Sequence, residues 1–320
     1  MRDTGAVAAL DCGTNSTRLL VAGTSGDAEA REMRITRLGE GVDATRRLRP
    51  EAMERTFAAL REFRSIMDAH HVVRARLVAT SAVRDAENRD AFLRPAGEII
   101  GVPAELLSGQ EEGRLSYAGA TAGLPAGDGG VVVVDIGGGS TEIVTLAEGE
   151  VRSVSLDIGC VRLTERFLRG DPPAADEVVH AVGAIDHELG RAVEVIPELA
   201  RTEPTPRLVG VAGTVSTLAS LELGLEDYDR DRIHGAVLTR EAVARWCEVL
   251  GRETVAERAR RPAVPDGRQD VIFGGALVLN QVLRRFGLPG CIVSESDILD
   301  GLVMSMPSPQ RSSPPGQGIE

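Results

Sequence analysis

Two segments of the chain share one pattern of apolar and polar positions. Residues 7–22 (VAALDCGTNSTRLLVA) and 131–146 (VVVVDIGGGSTEIVTL) each contain an apolar run, an aspartate, a short polar turn and a second apolar run. Such a pattern predicts a β-hairpin with an acid at the end of its incoming strand. An offset of 124 residues aligns Asp11 with Asp135, Gly13 with Gly137, Ser16 with Ser140 and Thr17 with Thr141. We therefore predict two similar lobes, each built around one hairpin.

Elsewhere the pattern alternates between strands and helices. Apolar residues recur at helical spacing between residues 50 and 70, and short apolar runs bounded by turn formers follow. We predict a strand and loop in MRITRLGEGVD (33–43) and further strands near 74–80, 151–156, 207–212 and 289–294. Helices are predicted near 50–70, 87–99, 110–122, 159–169, 174–195, 214–222, 239–250 and 268–286, with a short last helix. This interleaving indicates an α/β fold.

The domain boundary is predicted in the turn-rich segment LPAGDGG at 124–130. The N-terminal lobe would then span 1–125 and the C-terminal lobe 126–305. The Ser/Pro/Gly-rich tail at 306–320 is predicted to be disordered.

Composition and charge narrow the possible chemistry. The 36 basic residues are all arginine, and they face 48 acidic residues, for a net charge of −12. Without lysine, a phosphate site must use arginine, backbone amides and metal. The negative charge argues against broad nucleic-acid binding. No apolar run approaches the roughly 20 residues of a membrane span, and the cysteines lack metal-ligand spacing. We expect a cytoplasmic protein with neither a membrane nor a nucleic-acid partner.

The two turns have the chemistry of phosphate-binding loops. Small residues allow close backbone approach, and amides and hydroxyls donate to phosphate oxygens. The second turn contains the run Gly137, Gly138 and Gly139, and it is flanked by Asp135 and Glu142. A hydrated Mg²⁺ bridged to phosphate could bind between these two acids. In the first copy Arg18 replaces Glu142 and would offer a guanidinium. The alternative is a structural turn with solvated acids and a surface arginine.

Further candidate ligands lie after predicted strands. Thr80, Ser81 and Arg84 follow one strand, where hydroxyls and an arginine can bind an anion. Gly213 and Thr214 follow another and give a weaker signal for phosphate or a nucleoside. The alternatives are an ordinary loop with a helix cap and, at Gly213, close packing.

A helical glutamate is the candidate base. Ser108 is a plausible N-cap, with Glu111 at the capping-box position. Glu112 has no such structural role and is the better candidate for orienting or deprotonating a water. A solvent-facing glutamate is the alternative. His234 is expected to be a structural hydrogen-bonding residue, and Arg268 precedes a glycine-containing helix suited to packing.

Eight segments of the chain form a recognisable set. In chain order they are DCGTNSTRLL, RLGEGVD, ATSAVRDAENRDAF, SGQEEGRLSYAGA, DIGGGSTEI, LDIGCVRLTE, VAGTVSTLA and GRQDVIFGGALVL. With these segments in this order, the chain resembles the exopolyphosphatase / guanosine pentaphosphate phosphatase (Ppx/GppA) family. The resemblance covers about residues 5–305. It implies two ribonuclease-H-like, actin-like lobes with the active site in the cleft between them. It also implies that Glu112 is catalytic, that Arg84 binds phosphate, and that Asp11, Asp135 and Glu142 form the metal site.

The resemblance has two departures. Longer members carry additional C-terminal helical domains, and this chain stops at the two-lobed core, which puts processive action on very long chains in doubt. Cys12 within the first loop has no assigned role.

We therefore predict an Mg²⁺- or Mn²⁺-dependent exopolyphosphatase that releases orthophosphate from the end of inorganic polyphosphate, with water activated by Glu112 and Arg84 assisting. The predicted phosphate ligands are Gly13, Thr14, Asn15, Ser16, Arg18, Thr80, Ser81, Gly137, Gly138, Gly139, Ser140, Thr141, Gly213 and Thr214. A guanosine pentaphosphate phosphatase, a kinase and a noncatalytic polyphosphate or alarmone sensor stay open as alternatives. A homodimer is expected from the resemblance alone.

Overall fold

The computed structural model describes residues 5–24, 26–122, 130–200 and 205–306, which form two β-sheets with flanking helices. The strands of the first sheet are β1 (Val7–Cys12), β2 (Ser16–Ala22), β3 (Ala28–Ile35), β4 (Arg74–Ala79) and β5 (Ala104–Leu106). Their order is β3-β2-β1-β4-β5. The predicted hairpin pairs β1 with β2 antiparallel, and β4 adds to the other side of β1 in parallel.

The second sheet repeats this arrangement. Its strands are β6 (Val131–Ile136), β7 (Thr141–Ala147), β8 (Glu150–Leu156), β9 (Arg207–Val211), β10 (Val237–Thr239) and β11 (Gly290–Val293). Their order is β10-β11-β9-β6-β7-β8, so β6 to β9 and β11 correspond to the first sheet and β10 is an additional edge strand. β6 pairs with β7 antiparallel and with β9 in parallel. The duplicated topology confirms the predicted α/β fold with two related lobes.

The helices cover the sheets and fill two main cores. They are α1 (Val42–Thr45), α2 (Pro50–Ala69), α3 (Ser81–Asp85), α4 (Asp90–Ile100), α5 (Gly109–Thr121), α6 (Cys160–Phe167), α7 (Ala175–Val195), α8 (Ala212–Glu222), α9 (Arg230–Ile233), α10 (Arg240–Arg252), α11 (Val255–Arg258), α12 (Ile272–Arg285) and α13 (Ile298–Ser305), with a 3₁₀ turn at Pro197–Ala200. Leu60, Phe63 and Met67 of α2 are fully buried in the first core, as their helical spacing predicts. α12 is buried almost throughout in the second core.

The longer predicted elements are present, with ends that differ by a few residues. The elements that the pattern did not predict are β5, β10 and the short helices α1, α3, α9 and α11. Each has only three to five residues. Segments this short contain too few positions to display a hydrophobic period.

Two helices connect the lobes through very close backbone packing. A Cβ at Gly119 of α5 would lie 1.9 Å from the carbonyl oxygen of Asp297, and one at Gly301 of α13 would lie 2.0 Å from that of Leu115. α13, which the sequence groups with the second lobe, packs against Ala9 and its neighbours in the first sheet. α5 also contacts β7 and β8 of the second sheet. The helix that carries Glu112 therefore lies at the junction of the lobes.

Two predictions fall outside the described residues. The lobe boundary lies within 123–129, and nearly all of the tail lies within 307–320. Both stay predictions. Among the described residues, no helix is long and apolar enough to cross a membrane.

Candidate active site

The two hairpin turns have the same local geometry. The amide of Gly13 donates to the carbonyl of Ser16 over 3.0 Å, and the amide of Gly137 donates to that of Ser140 over the same distance. In the first hairpin Asp11 pairs across the strands with Arg18, and in the second Asp135 pairs with Glu142. The sequence repeat is thus also a structural repeat. Arg18 and Glu142, which differ between the two copies, occupy equivalent positions in the two hairpins.

These turns touch each other across the cleft. A Cβ at Gly138 would lie 2.8 Å from the Cβ of Thr14, and one at Gly139 would lie 2.9 Å from Thr14 Oγ1 and 2.8 Å from Ser81 Oγ. Thr14 and Ser81 share a hydrogen bond of 2.9 Å. Side chains at the two glycines would force the lobes apart, so the glycine run allows both predicted phosphate turns to reach one site.

The second turn presents unused backbone amides. Its carbonyls are occupied, because Gly137 accepts from the amide of Cys160 and Gly138 accepts from those of Val161 and Arg162. Within the described part of the chain, the amides of Gly138 and Gly139 donate no hydrogen bond. Adjacent free N–H groups in a turn form an anion-binding concavity. This geometry suits phosphate oxygens.

Glu112 lies in the first turn of α5 and is held by an arginine. Ser108 caps the helix by accepting from the amide of Glu111 at 3.2 Å, as predicted. Glu112 is 8% exposed, and its Oε2 accepts from Arg84 Nη1 at 3.0 Å. Arg84 also donates to the carbonyl of Leu107 at 2.9 Å. Burial, and then the charge of Glu142, raise the pKa of Glu112 well above its usual value, although Arg84 opposes the shift.

The acids of the second hairpin are also buried beside hydroxyl donors. Asp135 accepts from Ser116 Oγ at 2.5 Å, and Glu142 accepts from Ser155 Oγ at 2.6 Å. Burial raises the pKa of Asp135 to about 6 and, with the charge of Asp135, raises the pKa of Glu142 to about 7. Such shifts are typical of carboxylates that are buried away from water.

A magnesium ion fits these acids only if the substrate and water complete its coordination. Asp11 Oδ1 is buried without a hydrogen-bond partner, while Asp11 Oδ2 accepts from Arg18 Nη2 at 2.6 Å. Among the residues that the structure describes, no group of three or more His, Cys, Asp or Glu side chains is placed to hold a metal. Mg²⁺ commonly binds one or two carboxylates together with water and phosphate oxygens. Asp11 and Asp135 can supply that smaller set, and the metal stays a prediction.

Arg18 is clamped between two carboxylates. It donates to Asp11 from Nε and Nη2, and its Nη1 donates to Asp297, the N-cap of α13. Asp297 Oδ1 also lies 3.7 Å from Arg31 Nη1. Two acids therefore already compensate the charge of Arg18. Arg18 lines the cleft and also joins the first hairpin to the start of α13. The pairing of Arg18 with Asp297 was not predicted, since a partner 279 residues away leaves no local signal.

A cavity of about 560 Å³ extends from the two turns. Its wall contains Arg268, which is 8% exposed and donates from Nη2 to Met33 Sδ at 3.4 Å. Within the described ranges, no carboxylate forms an ion pair with Arg268. Burial lowers the pKa of this guanidinium from its usual value. A buried arginine without a carboxylate partner is well suited to an anionic ligand.

The chain is similar to known proteins over most of its length. A profile of the Ppx/GppA phosphatase family matches residues 26–308. The chain belongs to the Ppx/GppA phosphatase family. Exopolyphosphatase 2 of Mycobacterium tuberculosis is 44% identical over 317 residues, covering 94% of this chain and 98% of that protein. A Ppx/GppA family member from Aquifex aeolicus has 35% identity and a TM-score of 0.76, covering 94% and 97% of the two chains. An exopolyphosphatase from Cytophaga hutchinsonii has 26% identity and a TM-score of 0.85, with the same coverage.

Family membership identifies the chain as a phosphatase-type hydrolase, and most of the predicted site residues line its cavity. Those on the wall are Asp11, Gly13, Thr14, Asn15, Ser16, Arg18, Thr80, Ser81, Glu112, Asp135, Gly137, Gly138, Ser140 and Gly213. The remaining predicted site residues are not part of this wall: Arg84, Gly139, Thr141, Glu142 and Thr214. Thr141 donates its hydroxyl to the carbonyl of Ile158. A Cβ at Gly275 would lie 2.3 Å from Thr214 Oγ1. These contacts give both threonines a structural partner.

Other cavity residues of this Ppx/GppA protein were not predicted from its sequence. They include Arg31, Tyr228, Arg230, Arg268, Glu295 and Asp297. Only Asp297 had a local signal, because an aspartate after a strand and before an apolar helix is typical of an N-cap. The other residues come from separate elements, and their side chains meet only in the folded chain.

Proposed function

We propose that this protein is an exopolyphosphatase that hydrolyses the terminal phosphoanhydride of inorganic polyphosphate and releases orthophosphate. The observation that carries the proposal is the position of Glu112, a buried carboxylate held by Arg84 in a cavity bounded by two facing phosphate turns. The name of the relative at 44% identity, Exopolyphosphatase 2, supports the same substrate.

Glu112 would act as the general base. Arg84 binds Oε2, and within the described residues Oε1 accepts no hydrogen bond, so Oε1 is available for a water molecule. Burial raises the pKa of Glu112, which makes its carboxylate a stronger base than that of an ordinary glutamate. Deprotonation of the water by Oε1 would generate the nucleophile for attack on the terminal phosphorus, and the shortened polyphosphate would leave.

The two turns and Arg268 would stabilise the charge of the phosphoryl group. The amides of Gly138 and Gly139 point to phosphate binding because neither is used inside the protein. Arg268 contributes a buried cation on the cavity wall. Positioned donors of this kind account for most of the catalysis of phosphoryl transfer, in which the protein does little covalent chemistry.

Asp135 and Asp11 would hold Mg²⁺ or Mn²⁺, with Glu142 close behind. When bound, the ion would neutralise phosphate oxygens and reduce the repulsion among the buried acids. Hydrolysis of guanosine pentaphosphate, a homodimeric state and a cytoplasmic location stay predictions from the sequence.

The deciding experiment measures orthophosphate release from polyphosphates of several lengths, from guanosine pentaphosphate and from ATP, each with Mg²⁺ or Mn²⁺. We expect the highest kcat/KM on polyphosphate. A higher kcat/KM on guanosine pentaphosphate would reassign the substrate. Tight binding of polyphosphate without any release of orthophosphate would instead indicate a sensor.

A further inference from the structure

Arg162 of α6 connects the second phosphate turn to the first lobe. It is 6% exposed, and its Nε donates to the carbonyl of Gly139 at 2.6 Å. Its Nη1 donates to Asp43 of α1 at 2.6 Å, and its Nη2 donates to Asp85 at the end of α3. One guanidinium thus binds a turn of one lobe and two helices of the other.

Both ends of this connection lead to the active site. Gly139 belongs to the turn in which Gly137 and Gly138 line the main cavity. Asp85 belongs to α3, the helix that also carries Ser81 and Arg84. Ser81 lies against Gly139, and Arg84 holds Glu112. Arg162 itself is absent from the wall of the main cavity.

A second arginine of α6, Arg166, contacts the first lobe but not the second phosphate turn. Arg166 of α6 also binds Asp43, and Glu165 accepts from the amide of Gly41 at 3.0 Å. Several contacts therefore attach α6 to the first lobe. Among the described residues, only Arg162 extends such a cross-lobe contact to the carbonyl of Gly139.

We propose that Arg162 is a positioning residue that keeps the second phosphate turn in register with α3, and hence with Arg84 and Glu112. The effect on turnover rests on the proposed function, whereas the effect on the turn does not. A planar guanidinium can donate in three directions at once, and the single ammonium group of lysine cannot reproduce that fork. Loss of the fork would free the Gly139 carbonyl and leave the turn held by backbone bonds from α6.

The test compares Arg162→Lys with Arg166→Gln, which also removes a cross-lobe ion pair but leaves Gly139 untouched. Hydrogen–deuterium exchange at the amide of Gly137, which donates to the carbonyl of Ser140, reports on the order of the turn without any substrate. We expect exchange roughly tenfold faster in R162K and unchanged in R166Q. On polyphosphate, kcat should fall about 10- to 100-fold in R162K, because small misplacements of reacting groups have effects of that size, and should stay within about twofold of wild type in R166Q.

Unchanged exchange in R162K, or an equal rise in R166Q, would overturn the positioning role. If R162K does not fold, judged by circular dichroism, Asp85→Asn is used in its place, because it removes the α3 end of the same connection. Faster exchange in D85N would support the positioning role, and unchanged exchange would overturn it. If the wild-type protein does not hydrolyse polyphosphate but R162K still shows faster exchange, the proposed substrate is wrong and the positioning role stands.

Discussion

The guanidinium of Arg268 lies directly against the backbone of Gly213. A Cβ on Gly213 would lie 1.8 Å from Nη1 and 2.0 Å from Cζ of Arg268. Gly213 was predicted as a phosphate ligand, and the structure gives it this additional contact with a buried cation on the cavity wall.

Gly213→Ala should displace Arg268 and weaken polyphosphate binding with little loss of stability, because the obstructed atoms are the end of a flexible side chain. A hydrogen bond to a charged group contributes about 1.5–3 kcal/mol, so KM should rise roughly 10- to 100-fold. Gly183→Ala is the matched control, since a Cβ there meets nothing within 4 Å. Wild-type KM in G213A would show that Arg268 does not contact the substrate.

Glu112→Gln should reduce kcat by at least about a hundredfold, the size expected for a general base, while polyphosphate binding persists. Glu111→Gln is the control, because Glu111 is exposed and contributes its backbone amide to the helix cap. Orthophosphate release gives kcat, and calorimetry gives the affinity. Near-normal turnover in E112Q would remove Glu112 from the mechanism.

Gly138→Ala should disturb the contact between the two turns. The added Cβ would lie 2.8 Å from Thr14 Cβ and 3.3 Å from the amide nitrogen of Asn15. Since backbone atoms cannot rotate away, we expect a loss of about 1–3 kcal/mol in the free energy of unfolding, as for overpacked sites, together with reduced kcat. Urea unfolding and the release assay measure the two effects. Gly190→Ala, in open space on α7, should change neither.

Acid should weaken the attachment between the lobes at Asp43. Burial alone would raise the pKa of Asp43, but hydrogen bonds and charge from Arg166 and Arg162 hold it below its usual value. A carboxylate with a depressed folded-state pKa stabilises the protein above its unfolded-state pKa, about 3.9, and this contribution is lost as the pH falls through the folded-state value. Asp43→Asn should therefore lower Tm at pH 7, and its difference from wild type should shrink below about pH 4. A difference independent of pH would exclude this origin.

Metal removal should abolish turnover, and Asp135→Asn should raise the Mg²⁺ concentration needed for half-maximal activity. We expect a shift of at least about tenfold, the lower end of what altered metal-site residues produce. Asp186→Asn changes an exposed carboxylate on α7 and should leave the requirement unchanged. Full activity in the presence of a chelator would show that the reaction needs no divalent ion.

Much of the fold could be predicted from local patterns. The two hairpins follow from alternating apolar runs around turns, and the register that sets Asp135 opposite Glu142 follows from a two-strand pairing a few residues apart. The Ser108 cap and the buried face of α2 also depend on neighbours within a few positions. Very short elements such as β5 and α3 escaped because their few residues carry no period.

By itself, the sequence determined the two hairpin turns, the capped helix that carries Glu112 and the duplicated α/β plan, because each depends on residues close together in the chain. Only the tertiary structure decided how their charges are used. Arg18 is neutralised by Asp297 as well as Asp11, Arg84 holds Glu112, and Arg268 is left as a buried cation without a carboxylate partner among the described residues. These relationships join side chains from distant segments, and the energy of a buried charge depends on every group that the fold brings within a few ångströms of it.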